Sequence, residues 1–301
     1  MNRNILYIIN PISGTRKKNG LQKLIEEKTK KAGFAFQILP SVDGGGYNHL
    51  IPAIEDQKIT DIIIAGGDGT VSQVVGSLKM TGVNFGIIPC GSGNGLALAA
   101  GIPTNPEKAL QLIFTGKSKP TDGFYVNNTF SCMLSGFGFD AQVAHDFANQ
   151  KRRGFFTYLV KTILNFLKGK TYSFKLQIAE IELETRAYFI SIANSNQFGN
   201  HLTIAPLASL FDGLLDIIVL PEQNRFSFAY NMLKQIAGFN KLQKNIPTLK
   251  NKNILYFQTD QLTIININKA PLHIDGDPAA LTESIHIKVE KHAFRLIGKY
   301  S

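Results

Sequence analysis

Two textures of sequence meet near residues 122–125 and predict a two-domain chain. An α/β domain with a mostly parallel sheet covers residues 1–123, and an antiparallel β-sandwich domain covers residues 124–292. Three observations carry this. Short apolar runs alternate with helical patterns in the first third, which requires parallel pairing through right-handed crossovers. Many β-branched and aromatic segments follow without regular intervening helices, the mark of antiparallel β structure. The 301 residues exceed one ordinary domain, and at 44% hydrophobic and 18% charged residues each part can bury a core. The tail, residues 293–301, is expected to pack back on the first domain.

Taken in order, Ile5–Ile9 reads as a buried strand, Gly20–Ala32 as a basic helix, Ala35–Leu39 as a strand, and the region near Leu50 as a helix. Asp61–Ala65 is a strand, Val71–Met80 a helix, Asn84–Pro89 a strand, and Gly95–Ala100 and Pro106–Thr115 are helices. The second domain reads as strands at Phe124–Asn127, Phe130–Leu134, Ser173–Ile178, Ile181–Glu184, Ala187–Ala193, Leu215–Leu220, Leu262–Ile267 and Ile285–Val289. Helical stretches at Ala141–Leu167 and Arg225–Ala237 interrupt them, and Lys241–Lys252 is a polar, basic connection. No stretch approaches the ~20 apolar residues that would span a bilayer, so any membrane contact is expected to be peripheral.

The net charge of +10 implies attraction to polyanions: nucleic acid, nucleotide phosphates or anionic lipid headgroups. Cys90 and Cys132 are the only cysteines and show no paired framework or metal spacing, which is the composition of a reducing compartment. The six histidines show no metal spacing, and no Gly-x-Ser-x-Gly elbow suggests a hydrolase.

The strongest chemical signal is Ile62-Ile63-Ile64-Ala65-Gly66-Gly67-Asp68-Gly69-Thr70-Val71, a buried strand running into a glycine-rich turn and then a helix. Glycines let backbone approach a bulky anion, and a helix N-terminus offers N–H groups and a positive dipole end. The plainer reading is a tight turn with Asp68 or Thr70 capping the helix. A second glycine loop, Pro89-Cys90-Gly91-Ser92-Gly93-Asn94-Gly95, follows one βα unit later, and neighbouring strand ends of this kind line a ligand crevice in open parallel sheets. Asn10-Pro11-Ile12-Ser13-Gly14-Thr15-Arg16-Lys17-Lys18 adds hydroxyls and cations, and Ser41 with Gly44-Gly45-Gly46 adds a flexible loop. Phosphoryl transfer to an alcohol needs Mg²⁺ on the triphosphate and an acceptor for the hydroxyl proton. Asp68, Asp122, Asp140, Asp212, Asp216, Asp275 and Asp277 all sit in turn contexts, where most aspartates only satisfy local N–H groups. Asp275-Gly276-Asp277 differs in placing two carboxylates on one turn after an apolar strand.

These residues resemble the lipid kinases with a diacylglycerol-kinase catalytic domain, a family that includes bacterial diacylglycerol kinases and the sphingosine and ceramide kinases. The matches are Asn10-Pro11-x-Ser13-Gly14, Gly66-Gly67-Asp68-Gly69-Thr70, Pro89-x-Gly91-Ser92-Gly93-Asn94, Ser135-Gly136-Phe137-Gly138-Phe139-Asp140-Ala141, Asp212-Gly213-x-Leu215-Asp216 and Asp275-Gly276-Asp277, in family order. The resemblance implies a phosphofructokinase-like or NAD-kinase-like first domain, a β-sandwich second domain, and ATP in the cleft between them. It implies nucleotide contacts from Asn10, Ser13, Ser41, Gly66, Gly67, Asp68, Gly69, Thr70 and Ser92. Catalytic Mg²⁺ would be held through Asp68 and Asp122, and a structural Mg²⁺ by the Asp212 side chain with the Ser209 and Leu214 carbonyls. Asp277 would be the general base, supported by Asp275. Asp140 would meet a lipid amine or a polar headgroup, and Arg153 a phosphate.

The chain departs from the pattern twice. Asn94-Gly95 stands where bacterial members often have Asn-Asp, and Asp277 replaces the more usual Glu, shortening its reach by one methylene. The expected activity is ATP-dependent phosphorylation of a lipid hydroxyl, first of all diacylglycerol, by a cytoplasmic protein at the inner membrane face. No nucleic-acid partner is expected, and homodimerisation is left open. The alternatives are a sphingoid-base or ceramide kinase, an NAD-kinase-like enzyme of soluble metabolites, and a non-catalytic nucleotide or anionic-lipid binding module.

Overall fold

The computed structural model describes residues 3–11, 18–42, 44–91, 93–138, 170–197, 203–224 and 253–300, with residues 227, 230–231, 234–235, 239 and 242–243. Contact density divides the chain into two units. One holds Met1–Gly123, Gly199–His201 and Lys291–Ser301; the other holds Phe124–Phe198 and Leu202–Glu290.

The first unit follows the alternation in its sequence. β1 (Asn4–Ile9) leads through α1 (Lys18–Lys31) to β2 (Ala35–Pro40), and α2 (Ile51–Asp56) leads to β3 (Asp61–Gly66). α3 (Asp68–Leu78) then connects to β4 (Asn84–Pro89), followed by α4 (Gly95–Ala99), α5 (Pro106–Thr115) and β5 (Lys117–Val126). The strands pair in parallel in the order β2-β1-β3-β4. β3 is buried along its whole length, as a strand covered on both faces must be, whereas β2 is the half-exposed edge and ends on Pro40. Tyr7 and Ile63 share one sheet face with Ile25 of α1 and with Leu110 and Ile113 of α5. α5 starts where the sequence says it should: Pro106 fills its first turn, and the Asn105 side chain accepts from the N–H groups of Glu107 and Lys108. At the amino end of β3 the buried Asp61 carboxylate takes a bidentate grip from Arg3, at 2.9 and 2.8 Å. The same guanidinium donates to the Ile113 carbonyl and so ties the end of α5 to the sheet.

The second unit is antiparallel. β6 (Thr129–Ser131), β7 (Leu134–Gly138), β8 (Tyr172–Ile178), β9 (Ile181–Ala193), β10 (Leu215–Pro221), β11 (Leu255–Thr259), β12 (Gln261–Asn266), β13 (Leu272–Ile274), β14 (Asp277–Ala279) and β15 (Ser284–Gly298) complete the chain. The order runs β14-β13-β7-β9-β8-β12-β15, and β10 pairs with both β9 and β11. β9 is one continuous strand where the sequence suggested two. Its first half pairs with β8 and its second half with β7 and β10. The main core gathers Phe137, Phe174, Leu176, Ile190, Ile217 and Ile264 among others, and Leu134, Phe189, Ile218 and Tyr256 belong to a second cluster. The last part of β15 belongs to the first unit, where Arg295 and Leu296 pair in parallel with Asn84 and Phe85 of β4.

Besides β9, other segments differ from the expected pattern: β14 was not expected, and β15 runs well past the expected Ile285–Val289. β5 begins at Lys117 because the polar, alternating Lys117–Thr121 pairs despite its weak strand propensity. β11 follows directly on the expected polar connection. A single expected strand over 130–134 is broken into β6 and β7. The proposed helix 141–167 lies outside the described residues; of 225–237, Ser227, Tyr230, Asn231, Lys234 and Gln235 are helical.

Candidate active site

In the first unit the candidate site lies at the carboxyl ends of the strands. The chain passes from β1 to β2 on one side and then returns to β3 on the other, so strand order reverses between β1 and β3, where open sheets bind ligands. Asn10 leaves β1 at that point: its backbone N–H donates to the Ala65 carbonyl at 2.9 Å, and its side-chain amide donates to the Thr70 hydroxyl at 2.7 Å. Thr70 is therefore engaged across the crevice. Neither Asp68 nor Thr70 caps α3, since its cap residue is Gly67 and no side-chain cap bond forms. The first intrahelical acceptor bond runs from the Val71 N–H to the Gly67 carbonyl, so the Gly69 and Thr70 N–H groups precede the helical ladder, as the first N–H groups of any α-helix do. Asp68 stands in the same first turn.

The two glycine loops touch. A Cβ on Gly91 would lie 2.6 Å from the Gly67 Cα, and one on Gly67 would lie 3.2 Å from the Gly91 Cα. Only glycine at both places lets the backbones come this close, and the result is a cradle walled by main chain. Asn94 holds the second loop shut. In left-handed conformation, its side chain accepts from the Gly91 N–H at 2.9 Å and donates to the Gly91 carbonyl at 2.8 Å. Ser41 closes the far side, its N–H bonded to the Ile9 carbonyl. Burial pushes the pKa of the neighbouring Tyr47 hydroxyl up, and that oxygen accepts from the Val42 N–H. Asp122 of β5 is buried and accepts the N–H of His292, which adopts φ 54° within β15, at 2.8 Å. Ser13 and Ser92 lie outside the described residues.

In the second unit, Asp275 and Gly276 form a two-residue hairpin loop between β13 and β14, with φ 48° and 90° and Ile274 paired to Asp277. Two positive φ angles define the primed turn that Asp-Gly favours. The Asp275 carboxylate is buried and accepts from four donors: the Ser131 hydroxyl at 2.7 Å and the N–H groups of Cys132, Met133 and Leu134 at 3.0–3.1 Å. That grip divides β6 from β7, with Asn194 holding the Cys132 carbonyl from the other side. Asp277 is exposed as a whole residue, while its carboxyl group is partly withdrawn from water. Burial of its carboxyl pushes the pKa up, the neighbouring Asp275 charge pushes it further, and His273 pulls it back.

The Asp212 loop is a third cluster. Asp212 accepts the Leu214 N–H at 3.0 Å, and the Ser209 hydroxyl accepts the Phe211 N–H. Asp216 is fully buried beside them. Its Oδ2 accepts from Gln258 at 3.0 Å, while Oδ1 is buried with no hydrogen-bond partner, and desolvation raises its pKa to about 6. An orphaned carboxylate oxygen beside an aspartate and a turn rich in carbonyls suits a hard divalent cation. Among the described residues no group of three or more His, Cys, Asp or Glu side chains is gathered for a metal, so any ion here would take main-chain oxygens as well. Asp140 and Arg153 lie outside the described residues. Asn94 and Asp216 stood in the sequence only as members of motifs, and His273 was given no role there: Asp216 is distinguished by its burial and its distant partner Gln258, Asn94 and His273 by side-chain bonds to glycines three residues away.

Comparison with known proteins agrees with this architecture. Residues 4–126 match the model of the diacylglycerol kinase catalytic domain, and residues 134–297 match the YegS C-terminal NAD kinase beta sandwich-like domain. The chain belongs to the diacylglycerol kinase catalytic-domain family of lipid kinases. It is 26% identical over 257 residues to a probable lipid kinase YegS-like of Chromohalobacter salexigens, covering 83% of this chain and 80% of that one. It is 24% identical over 306 residues to the diacylglycerol kinase of Bacillus subtilis, covering 97% and 95%. A crystal structure of a diacylglycerol kinase from Bacillus anthracis str. Sterne superposes with a TM-score of 0.74 at 21% identity, covering 99% of this chain and 97% of that one, which shows the shared fold.

Proposed function

We propose that the protein transfers the γ-phosphate of ATP to the hydroxyl of a glycerolipid, diacylglycerol being the first candidate. One observation carries the reading: the contact of Gly67 with Gly91, which leaves a main-chain cradle beside Asn10, Thr70 and the first turn of α3. Backbone N–H groups at a helix N-terminus and a cradle that admits no Cβ suit a polyphosphate. Mg²⁺, when bound, neutralises phosphate charge, and Asp68 with Asp122 would hold it; Asp212, with the Ser209 and Leu214 carbonyls, would hold a second, structural ion.

On this reading the acceptor hydroxyl gives its proton to the Asp277 carboxylate as its oxygen bonds the γ-phosphorus. The bond from that phosphorus to the bridging oxygen breaks, and ADP leaves. Ser13, Ser41, Gly66, Gly69 and Ser92 belong to the nucleotide side of the proposal, Asp140 and Arg153 to the lipid side. No helix among the described residues is long and apolar enough to cross a membrane. On this reading the lipid is met at a membrane surface, on its cytoplasmic face.

The test is transfer of label from γ-labelled ATP to mixed micelles holding diacylglycerol, phosphatidylglycerol or a sphingoid base. Labelled phosphatidic acid is expected, and Asp68→Asn should reduce it by about 10²-fold or more. Label in the sphingoid base alone would change the acceptor class; label in none of them, with ATP still bound, would overturn the reading.

A further inference from the structure

The Asp275–Gly276 loop is fixed from two sides. Asp275 is held through its side chain by the four donors of residues 131–134. Gly276 is held through its backbone: its N–H donates to Nδ1 of His273 at 3.3 Å. In a two-residue hairpin the paired residues on either side complete the ladder, so the loop's own N–H groups need another acceptor. The imidazole supplies one. His273 is buried at 1% exposure, and its lateral neighbour in β7 is Gly136, which presents no side chain against the ring. For space filling alone an aliphatic residue would serve in such a strand; the nitrogen is what an aliphatic residue lacks. Neither hold touches Asp277, which begins β14 immediately after the loop.

We propose that His273 is a positioning residue: through the Gly276 N–H it fixes the loop that aims Asp277. This rests on Asp277 being the base. A displacement of about 1 Å at a reacting group can cost about 10²-fold in rate, so a carboxylate one residue beyond a glycine needs that glycine fixed.

The test uses two polar replacements. In His273→Asn the amide oxygen takes the place of Nδ1, whereas in His273→Gln it takes the place of Nε2. Turnover, KM for ATP and melting temperature are measured for both, with Asp277→Asn alongside. His273→Asn is expected to keep kcat within about 3-fold of the parent. His273→Gln should lose about 10- to 100-fold in kcat with KM for ATP within about 2-fold, at a melting temperature like that of His273→Asn. Equal kcat in the two variants would overturn the inference, as would losses that simply follow melting temperature. If Asp277→Asn turns over like the parent, the base assignment itself fails; if it is inactive while His273→Gln is fully active, only the role of His273 fails.

Discussion

The glycine loops of the first unit and the Asp-Gly-Asp turn of the second are both short turns at strand ends, but they are built on opposite principles. The Gly67–Gly91 contact exists because side chains are absent, and main chain fills the space a Cβ would need. The Asp275 turn exists because one side chain is present and saturated, with four donors on its carboxylate. The first is intolerant of added mass. The second has open space around Gly276, where an added Cβ would meet nothing within 4 Å, and is intolerant of a lost acceptor.

The sharpest way to break the comparison is to add one methyl group to the first loop. Gly91→Ala would put a Cβ 2.6 Å from backbone that cannot swing aside, so the loops must separate. ATP-dependent turnover is expected to fall by about 10²-fold or more, and overpacking should cost about 1–3 kcal/mol of stability. Equilibrium ATP binding and denaturant unfolding check both, and near-parental binding would show that the cradle is not the nucleotide site. Asp275→Ala makes the opposite cut. It leaves a hydroxyl and three buried N–H groups without their acceptor, at a cost of about 3 kcal/mol, with turnover falling in step with stability. Urea unfolding would contradict this if the loss were under about 1 kcal/mol.

What could be read from sequence follows the same division. The glycine-rich turns announce themselves because glycine after a buried strand has few other uses, and the four parallel strands do so because their apolar runs are unbroken. Even the length of α3 was nearly legible, although it begins at Asp68 rather than Val71. The break between β6 and β7 was not legible, since its cause lies over 140 residues away in Asp275. β9 looked like two strands because Thr185 and Arg186 interrupt its apolar pattern, yet both pair with β8. Asp216 read as one turn aspartate among many; only burial distinguishes it. Partners distant in sequence decide these features, and a local pattern carries no trace of them.

A smaller effect probes the Asp212 loop. If it holds the structural cation, millimolar Mg²⁺ should raise the melting temperature, through about 1–3 kcal/mol of linkage, and Asp212→Ala should abolish the rise. An equal rise in the variant would place the ion elsewhere. The Asp277 carboxyl makes a prediction in pH. Burial and the Asp275 charge raise its pKa, and a base works only when ionised, so kcat should fall on acidification at a pH above the ordinary aspartate value of about 3.9. Asp275→Asn removes the neighbouring charge and should move that acid limb to lower pH. An unmoved limb would mean that the rate reports another group.

The smallest expected effect comes from repeating the first substitution in the other turn. Gly276 sits at φ 90°, so Gly276→Ala meets a conformational penalty and no collision. A left-handed backbone costs a residue with a Cβ about 1–2 kcal/mol, and asparagine tolerates that region better than alanine. Gly276→Asn should therefore recover about half of the loss, and both variants should keep most of their turnover, because the N–H that His273 accepts is still present. Gly91→Asn should recover nothing, since Gly91 fails by contact and asparagine brings the same Cβ. Measured by urea unfolding and by turnover, the four variants separate a glycine required for its torsion angle from one required for its missing atom. If asparagine rescued both loops, or neither, the two turns would not differ in the way their geometry implies.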